Sequence, residues 1–230
     1  MRVGGWELGG GGRGAVPLRL IKPANPAGGR VGILAAAFNP PTVAHLAMAR
    51  EAAARFALDE VLFLLPEVFP HKAYSGASFG QRREMLEAAL AGEPRFSIGS
   101  CDAGLFIEIA RACRPVYGPG AELFFLCGRD AAERIVNWDY GPAEIPFARQ
   151  LEEFRLLVAP RGGHYAIPVE LAARIHALDL PPALETVSSS AVRWAIAVGR
   201  PWEDVVPAPV AATISLRRLF QTPQSAPTDR

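Results

Sequence analysis

The sequence predicts an α/β protein whose mainly parallel sheet is doubly wound, with helices on both faces. Apolar runs at residues 31–34, 60–65, 122–127 and 154–159 lack the polar alternation of a half-solvated strand. Each therefore reads as a strand buried on both sides. Amphipathic stretches of helical period lie between them; after the first run, Leu46, Ala49, Ala53 and Phe56 recur at that spacing. Strand–helix alternation of this kind implies right-handed crossovers between parallel strands. The runs also end in loops rich in proline and glycine, and in such sheets ligands bind beyond the carboxyl ends of the strands.

Composition narrows the function classes. The chain has 230 residues, half of them hydrophobic, enough for one domain with a substantial core. Its 24 basic and 23 acidic side chains leave a formal charge of +1, which gives no bulk attraction to nucleic acid or to a membrane surface. Cys101, Cys113 and Cys127 have no metal-type spacing, and their odd number argues against a disulfide framework. No apolar run reaches the length of a membrane span. Pro17, Arg19 and Lys22 interrupt the one apolar patch near the N-terminus, so a signal-peptide core is not expected. A soluble cytoplasmic protein is the expectation.

Residues 1–29 carry nine glycines and no helical period, and read as a flexible arm with a short strand near 16–21. The main domain is expected over 30–220. After the strands at 31–34 and 60–65 come a helix at 81–90, a short strand at 95–98 and a helix at 105–112. The strand at 122–127 leads into a helix reaching about 136, and the strand at 154–159 into a helix at 169–176 and a further short strand. Helices at 189–198 and 208–220 close the domain. Residues 221–230 have the composition of a disordered tail. No internal repeat is evident.

The first strand leads into the segment that carries the chemistry. Ala35, Ala36 and Ala37 let a ligand approach the backbone closely, and Phe38-Asn39-Pro40-Pro41 forbids a continuous helix and holds a sharp loop. Thr42 stands at a helix N-cap position, with His45 one turn on. The free N–H groups and the dipole at such a helix start favour an anion, most often phosphate, and an imidazole there can add a positive donor. The plainer reading, a capped helix bearing a surface histidine, fits the same residues. A second candidate is Val187-Ser188-Ser189-Ser190-Ala191-Val192-Arg193. It reads first as an N-cap cluster, but its hydroxyls, N–H groups and Arg193 could also converge on a polyphosphate.

These segments resemble a known family. AAFNPPTVAH is similar to the glycine-rich loop and (H/T)xGH signature of the nucleotidyltransferase superfamily, and most resembles the nicotinate/nicotinamide mononucleotide adenylyltransferases. Thr42 stands at the first His, Ala44 at the Gly, His45 at the last His and Asn39 at an Asp/Asn position; Ala36 and Ala37 replace small or glycine residues. The segment around Ser188, Ser189 and Arg193 resembles the family's I-S-S-T/S-x-x-R. Phe69-Pro70-His71-Lys72 resembles P-P-H-K, Gly128-Arg129-Asp130 resembles G-x-D, and Trp138 and Arg161 match residues following in the same order. The stretch Gly104-Leu105-Phe106-Ile107-Glu108-Ile109 departs from the family's S-Y-T-x-D-T-L, keeping an aromatic and an acid but losing the hydroxyls.

The resemblance implies a Rossmann-like fold and attack of a mononucleotide phosphate on the α-phosphorus of ATP, releasing pyrophosphate, in NAD biosynthesis. His45, Thr42 and Arg193 would be catalytic. Ala36, Ala37, Phe38, Asn39, Gly128, Asp130, Ser188 and Ser189 would line the ATP site. His71, Lys72, Phe106, Glu108, Trp138 and Arg161 would line the acceptor site. Mg2+ would accompany ATP, held by phosphates and water rather than by a protein cage. The partners implied are ATP and a pyridine mononucleotide, with nicotinate ahead of nicotinamide; a homo-oligomer is compatible. The alternatives are a superfamily member with another phosphorylated acceptor, and a nucleotide-binding module without catalysis.

Overall fold

A computed structural model describes residues 17–25, 28–67, 76–138, 140 and 145–221. The seven strands are β1 (Arg19–Lys22), β2 (Arg30–Ala35), β3 (Glu60–Leu65), β4 (Phe96–Ser100), β5 (Glu122–Gly128), β6 (Arg155–Ala159) and β7 (Ile175–Ala177). They form one sheet in the order β1-β4-β3-β2-β5-β6-β7. Every neighbouring pair is parallel except β1 with β4. The helices are α1 (Val43–Arg55), α2 (Phe79–Ala89), α3 (Phe106–Tyr117), α4 (Arg129–Val136), α5 (Phe147–Gln150), α6 (Pro182–Glu185), α7 (Ser189–Ala197) and α8 (Ala208–Arg217).

The apolar runs are strands because both of their faces are covered. Along β3, Leu62 and Leu64 join one core with Ile107 and Cys113 of α3 and Ala132 of α4. Val61, Phe63 and Leu65 join the opposite core with Leu46, Ala49 and Ala53 of α1 and Leu86 of α2. The period-2 alternation of a strand thus sends apolar side chains both ways. A third, smaller core joins Met85 of α2 to Val192 of α7 and to Val210 and Ile214 of α8.

Several elements differ from expectation. The short strand near 16–21 lies at Arg19–Lys22, where it pairs antiparallel with β4, and Leu18 is buried in the main core. The sheet therefore begins ahead of the boundary at residue 30 that composition suggests. The helix at 169–176 is replaced by a 3-10 turn at Val169–Leu171 and then by β7, whose Ile175 is buried beside β6. The last helix stops at Arg217, because Arg218 turns left-handed at φ 50°; Leu219 and Phe220 then fold onto the third core. α3 runs past Ala112 to Tyr117, where Gly118 at φ 87° ends it. The short helices α5 and α6 have no counterpart in the sequence reading. The first part of the glycine-rich arm and residues 222–230 of the expected tail lie outside the described residues.

The topology also places the site. From β2 the chain steps outward through β3 to β4 and then returns to lay β5 on the other side of β2. The loops leaving β2 and β5 therefore diverge, opening the crevice where doubly wound sheets bind ligands. Among the described residues no helix is long and apolar enough to cross a membrane.

Candidate active site at the carboxyl end of the sheet

The loop after β2 is fixed atom by atom. Ala36 N–H donates to Leu64 O at 3.2 Å. Phe38 adopts φ 46°, a left-handed conformation that costs a non-glycine residue about 1–2 kcal/mol. Its ring offsets that cost by burial: it is 1% exposed and packs against Phe63 at 5.5 Å and edge-on to His45 at 5.2 Å. Asn39 is also buried, and its Oδ1 accepts the Ala77 N–H at 3.1 Å, tying the loop to the start of α2. The side chains of Phe38 and Asn39 thus shape the loop.

Thr42 is the N-cap of α1, as the sequence indicates, and is fully buried. Its N–H donates to His45 Nδ1 at 3.0 Å, and its hydroxyl lies 2.7 Å from the same nitrogen. Thr42 thus turns both polar atoms to the imidazole. A nitrogen that accepts a backbone N–H carries no proton, so the neutral ring has its hydrogen on Nε2. Desolvation, and secondarily the Arg161 guanidinium, lower the His45 pKa from 6.5 to about 4. The imidazole is thus a neutral Nε2–H donor where the sequence suggested a positive one.

The second phosphate candidate docks on the first. Ser188 caps α7 by accepting the Ala191 N–H at 3.1 Å. Ser189 Oγ donates to Pro40 O at 2.7 Å, and Arg193 Nη1 donates to Asn39 O at 2.7 Å. Segments 149 and 154 residues apart in sequence are thereby locked together. Neither α1 nor α7 carries an acidic residue in its first turn, so no carboxylate competes with an anion for the partial positive charge there.

Gly128 ends β5 and caps α4, whose first turn holds Asp130. Asp130 pairs with Arg161 at 3.3 Å, and Arg129 donates to Gly162 O at 2.8 Å, so the loops after β5 and β6 meet. A Cβ on Gly128 would lie 3.7 Å from Arg161 Cδ, ordinary contact, so the packing alone does not require glycine there. His45, Asp130 and Arg161 therefore gather at the ends of neighbouring strands.

The acceptor residues are placed differently. Phe106, half-buried, stacks on Phe125 at 4.4 Å and packs on the main core. Glu108 accepts the Gly104 and Leu105 N–H groups at 2.9 and 3.0 Å and so caps α3. Trp138 stands 42% exposed just after α4. His71 and Lys72, with Phe69 and Pro70, lie outside the described residues.

Sequence reasoning passed over Arg82. It is 1% exposed, and its guanidinium donates to Ala37 O at 3.1 Å and Pro66 O at 2.8 Å, bridging the loops after β2 and β3. An arginine on a helix reads as solvated, and only the fold reveals its burial. The three cysteines are free and buried, and burial pushes Cys113 and Cys127 up to about 12, so thiolate chemistry has no foothold. Among the described residues no group of three or more His, Cys, Asp and Glu side chains gathers.

The sequence profile of the cytidylyltransferase-like family matches residues 33–195, which span both anchor segments. A Gloeobacter violaceus protein described as a probable nicotinate-nucleotide adenylyltransferase is 35% identical over 212 residues, covering 86% of this chain and all of that one. A Solibacter usitatus protein of the same description is 35% identical over 189 residues, covering 79% of this chain and 95% of that one. The fold is that of the nicotinic acid mononucleotide adenylyltransferase of Plasmodium falciparum. Its complex with APC superposes with TM-score 0.65 at 14% identity, over 85% of this chain and 99% of that one. Its complex with NaAD gives TM-score 0.63. With both anchor segments inside the matched region, the chain belongs to the cytidylyltransferase-like nucleotidyltransferases and, among them, to the nicotinate-nucleotide adenylyltransferase family.

Proposed function

We propose that the protein transfers the adenylyl group of ATP to nicotinate mononucleotide, forming the dinucleotide and pyrophosphate. The observation that carries this reading is the pair of acid-free helix N-termini, α1 and α7, braced together beside the Nε2–H edge of His45. A phosphate oxygen of the acceptor bonds to the α-phosphorus as the bond to the pyrophosphate oxygen breaks. That oxygen is already ionised near neutral pH, so no general base is needed. Catalysis is positioning plus stabilisation of charge on the transferred group.

His45 Nε2–H donates to an α-phosphate oxygen, and Thr42 holds the ring in the tautomer that can do so. Ser188, Ser189 and Arg193 present the α7 N-terminus to the β- and γ-phosphates while keeping the loop after β2 in place. Ala36 and Ala37 leave the backbone open to the nucleotide. Asp130 suits ribose hydroxyls. Arg161, paired with Asp130, supplies a cation for the acceptor phosphate. Trp138 offers an aromatic face nearby, and Mg2+ enters as the companion of ATP. The catalytic unit spans residues 17–220, because β1 completes the sheet.

Nicotinate is favoured over nicotinamide because Glu108, whose carboxylate could have repelled an acidic ring substituent, is engaged in capping α3. The test is pyrophosphate release with ATP and each of nicotinate mononucleotide, nicotinamide mononucleotide, phosphopantetheine and ribose 5-phosphate. The highest kcat/KM is expected with nicotinate mononucleotide. Turnover with only a non-pyridine acceptor overturns the acceptor assignment, and ATP binding without turnover on any acceptor overturns the enzyme reading.

A further inference from the structure

The β2–α1 loop can serve a nucleotide only if its peptide planes are held in one orientation, and nothing within the loop itself does this for the plane joining Ala37 to Phe38. The Asn39–Pro40 bond is the one cis peptide among the described residues, so the Ala37–Phe38 bond is trans. In a trans peptide the carbonyl and the following N–H point in opposite directions. The Ala37 carbonyl accepts from Arg82 Nη1 at 3.1 Å, so the Phe38 N–H is turned directly away from Arg82. Among the described residues, that N–H donates to no protein acceptor.

Arg82 is itself held firmly. It is 1% exposed, its second nitrogen donates to Pro66 O at 2.8 Å, and its guanidinium lies 5.7 Å from the Phe79 ring. Its helix start is fixed by the reciprocal cap of Ser78 and Gln81, and Asn39 Oδ1 on Ala77 N–H ties the same turn to the loop a second time. We infer that Arg82 is a positioning residue: by holding the Ala37 carbonyl from behind, it aims the Phe38 N–H at a phosphate oxygen of bound ATP, across the loop from His45. This inference rests on the adenylyl-transfer reading above and adds to it a buried residue that touches no substrate. The planar fork spans two carbonyls on separate loops, a geometry that the single ammonium of lysine cannot reproduce.

Arg82→Lys and Arg82→Met test this, with thermal midpoints and kinetics recorded on the same preparations. The KM for ATP should rise on the order of tenfold or more in both, as loop misplacement predicts. The KM for nicotinate mononucleotide should move much less. Lower thermal midpoints with an unchanged ATP KM would make Arg82 a fold residue only. A measurement on the wild-type protein needs no variant: with 15N-phenylalanine labelling, the Phe38 amide resonance should shift strongly when ATP binds. A Phe38 amide that stays in place while the wild type binds ATP and turns over overturns the Arg82 inference alone. A wild type that neither binds ATP nor releases pyrophosphate overturns the underlying reading as well.

Discussion

On the β2 side of the crevice, Thr42, Asn39, Ser189 and Arg193 each commit a polar atom to a neighbouring backbone or imidazole, and Arg82 adds two more from below. On the α3 side, Phe106 is turned into the core and Glu108 onto the end of its own helix. The first region is a preorganised cradle, in which donors are fixed before the ligand arrives and little reorganisation remains for the reaction. The second contributes packing and a helix cap. Phosphate handling and acceptor choice are thus separable in this molecule. On this reading, acceptor selectivity rests more on backbone groups and on residues such as Arg161 and Trp138 than on the two α3 side chains.

The largest effect should come from the centre of the cradle. His45→Ala should lower kcat on the order of a hundredfold or more, as removal of one transition-state donor does, with a much smaller change in the KM for ATP. Steady-state kinetics at saturating acceptor measure the split; near-wild-type turnover would remove His45 from the mechanism. The same residue should leave a mark on stability. Its folded pKa of about 4 lies below the unfolded 6.5, so between those values the unfolded chain binds more protons than the folded one. The contribution is complete above pH 6.5 and is lost as pH falls toward 4. Urea denaturation at pH 7 and at pH 4.5 should show a smaller acid-induced loss in His45→Ala than in the wild type.

A smaller effect is expected at Arg193. It braces Asn39 O and also brings its charge to the α7 N-terminus, where the terminal phosphates of ATP are expected. Arg193→Ala should weaken ATP on the order of tenfold and AMP distinctly less, since charge-assisted bonds to phosphate are the stronger ones. Calorimetric titration with both nucleotides decides it. Equal weakening would mean that the bracing is the whole role and that the cradle ends at the loop after β2.

The same contrast explains what the sequence made legible. The strands, and the positions of His45, Thr42, Ser188 and Arg193, follow from periodicity, capping and loop chemistry, which are local properties of the chain. The short strand expected after residue 176 begins at Ile175 as β7, and the helix expected before it shrinks to a 3-10 turn, because three residues are too few for an alternation to mark the boundary in a stretch that also carries a helical pattern. β1 was set slightly early and treated as part of an arm, since an edge strand of four residues barely differs from a loop in composition. Arg82 was invisible because its burial depends on where two distant loops arrive. For Phe106 and Glu108 the resemblance gives a position along the chain but not the direction of a side chain. The i, i+3 spacing of Leu105 and Glu108 is that of a capping box, but leucine at the N-cap masked it.

The smallest expected effect lies on the α3 side. The Glu108 carboxylate accepts two backbone N–H groups at the start of α3, where the helix dipole already favours a negative charge. Glu108→Gln keeps an acceptor oxygen in place but removes the charge. It should therefore cost about 0.3–1 kcal/mol of stability, the usual worth of a charge at a helix end. The carboxylate points at its own backbone, so the ratio of kcat/KM for nicotinate over nicotinamide mononucleotide should stay within about twofold of the wild type, well below a 1.4 kcal/mol change. Were the carboxylate facing the bound pyridine ring, removing its charge would relieve repulsion of the nicotinate carboxylate and raise that ratio on the order of tenfold. A rise of that size in competition assays with both acceptors would show that Glu108 reads the acceptor and that the two sides of the crevice are not separable after all.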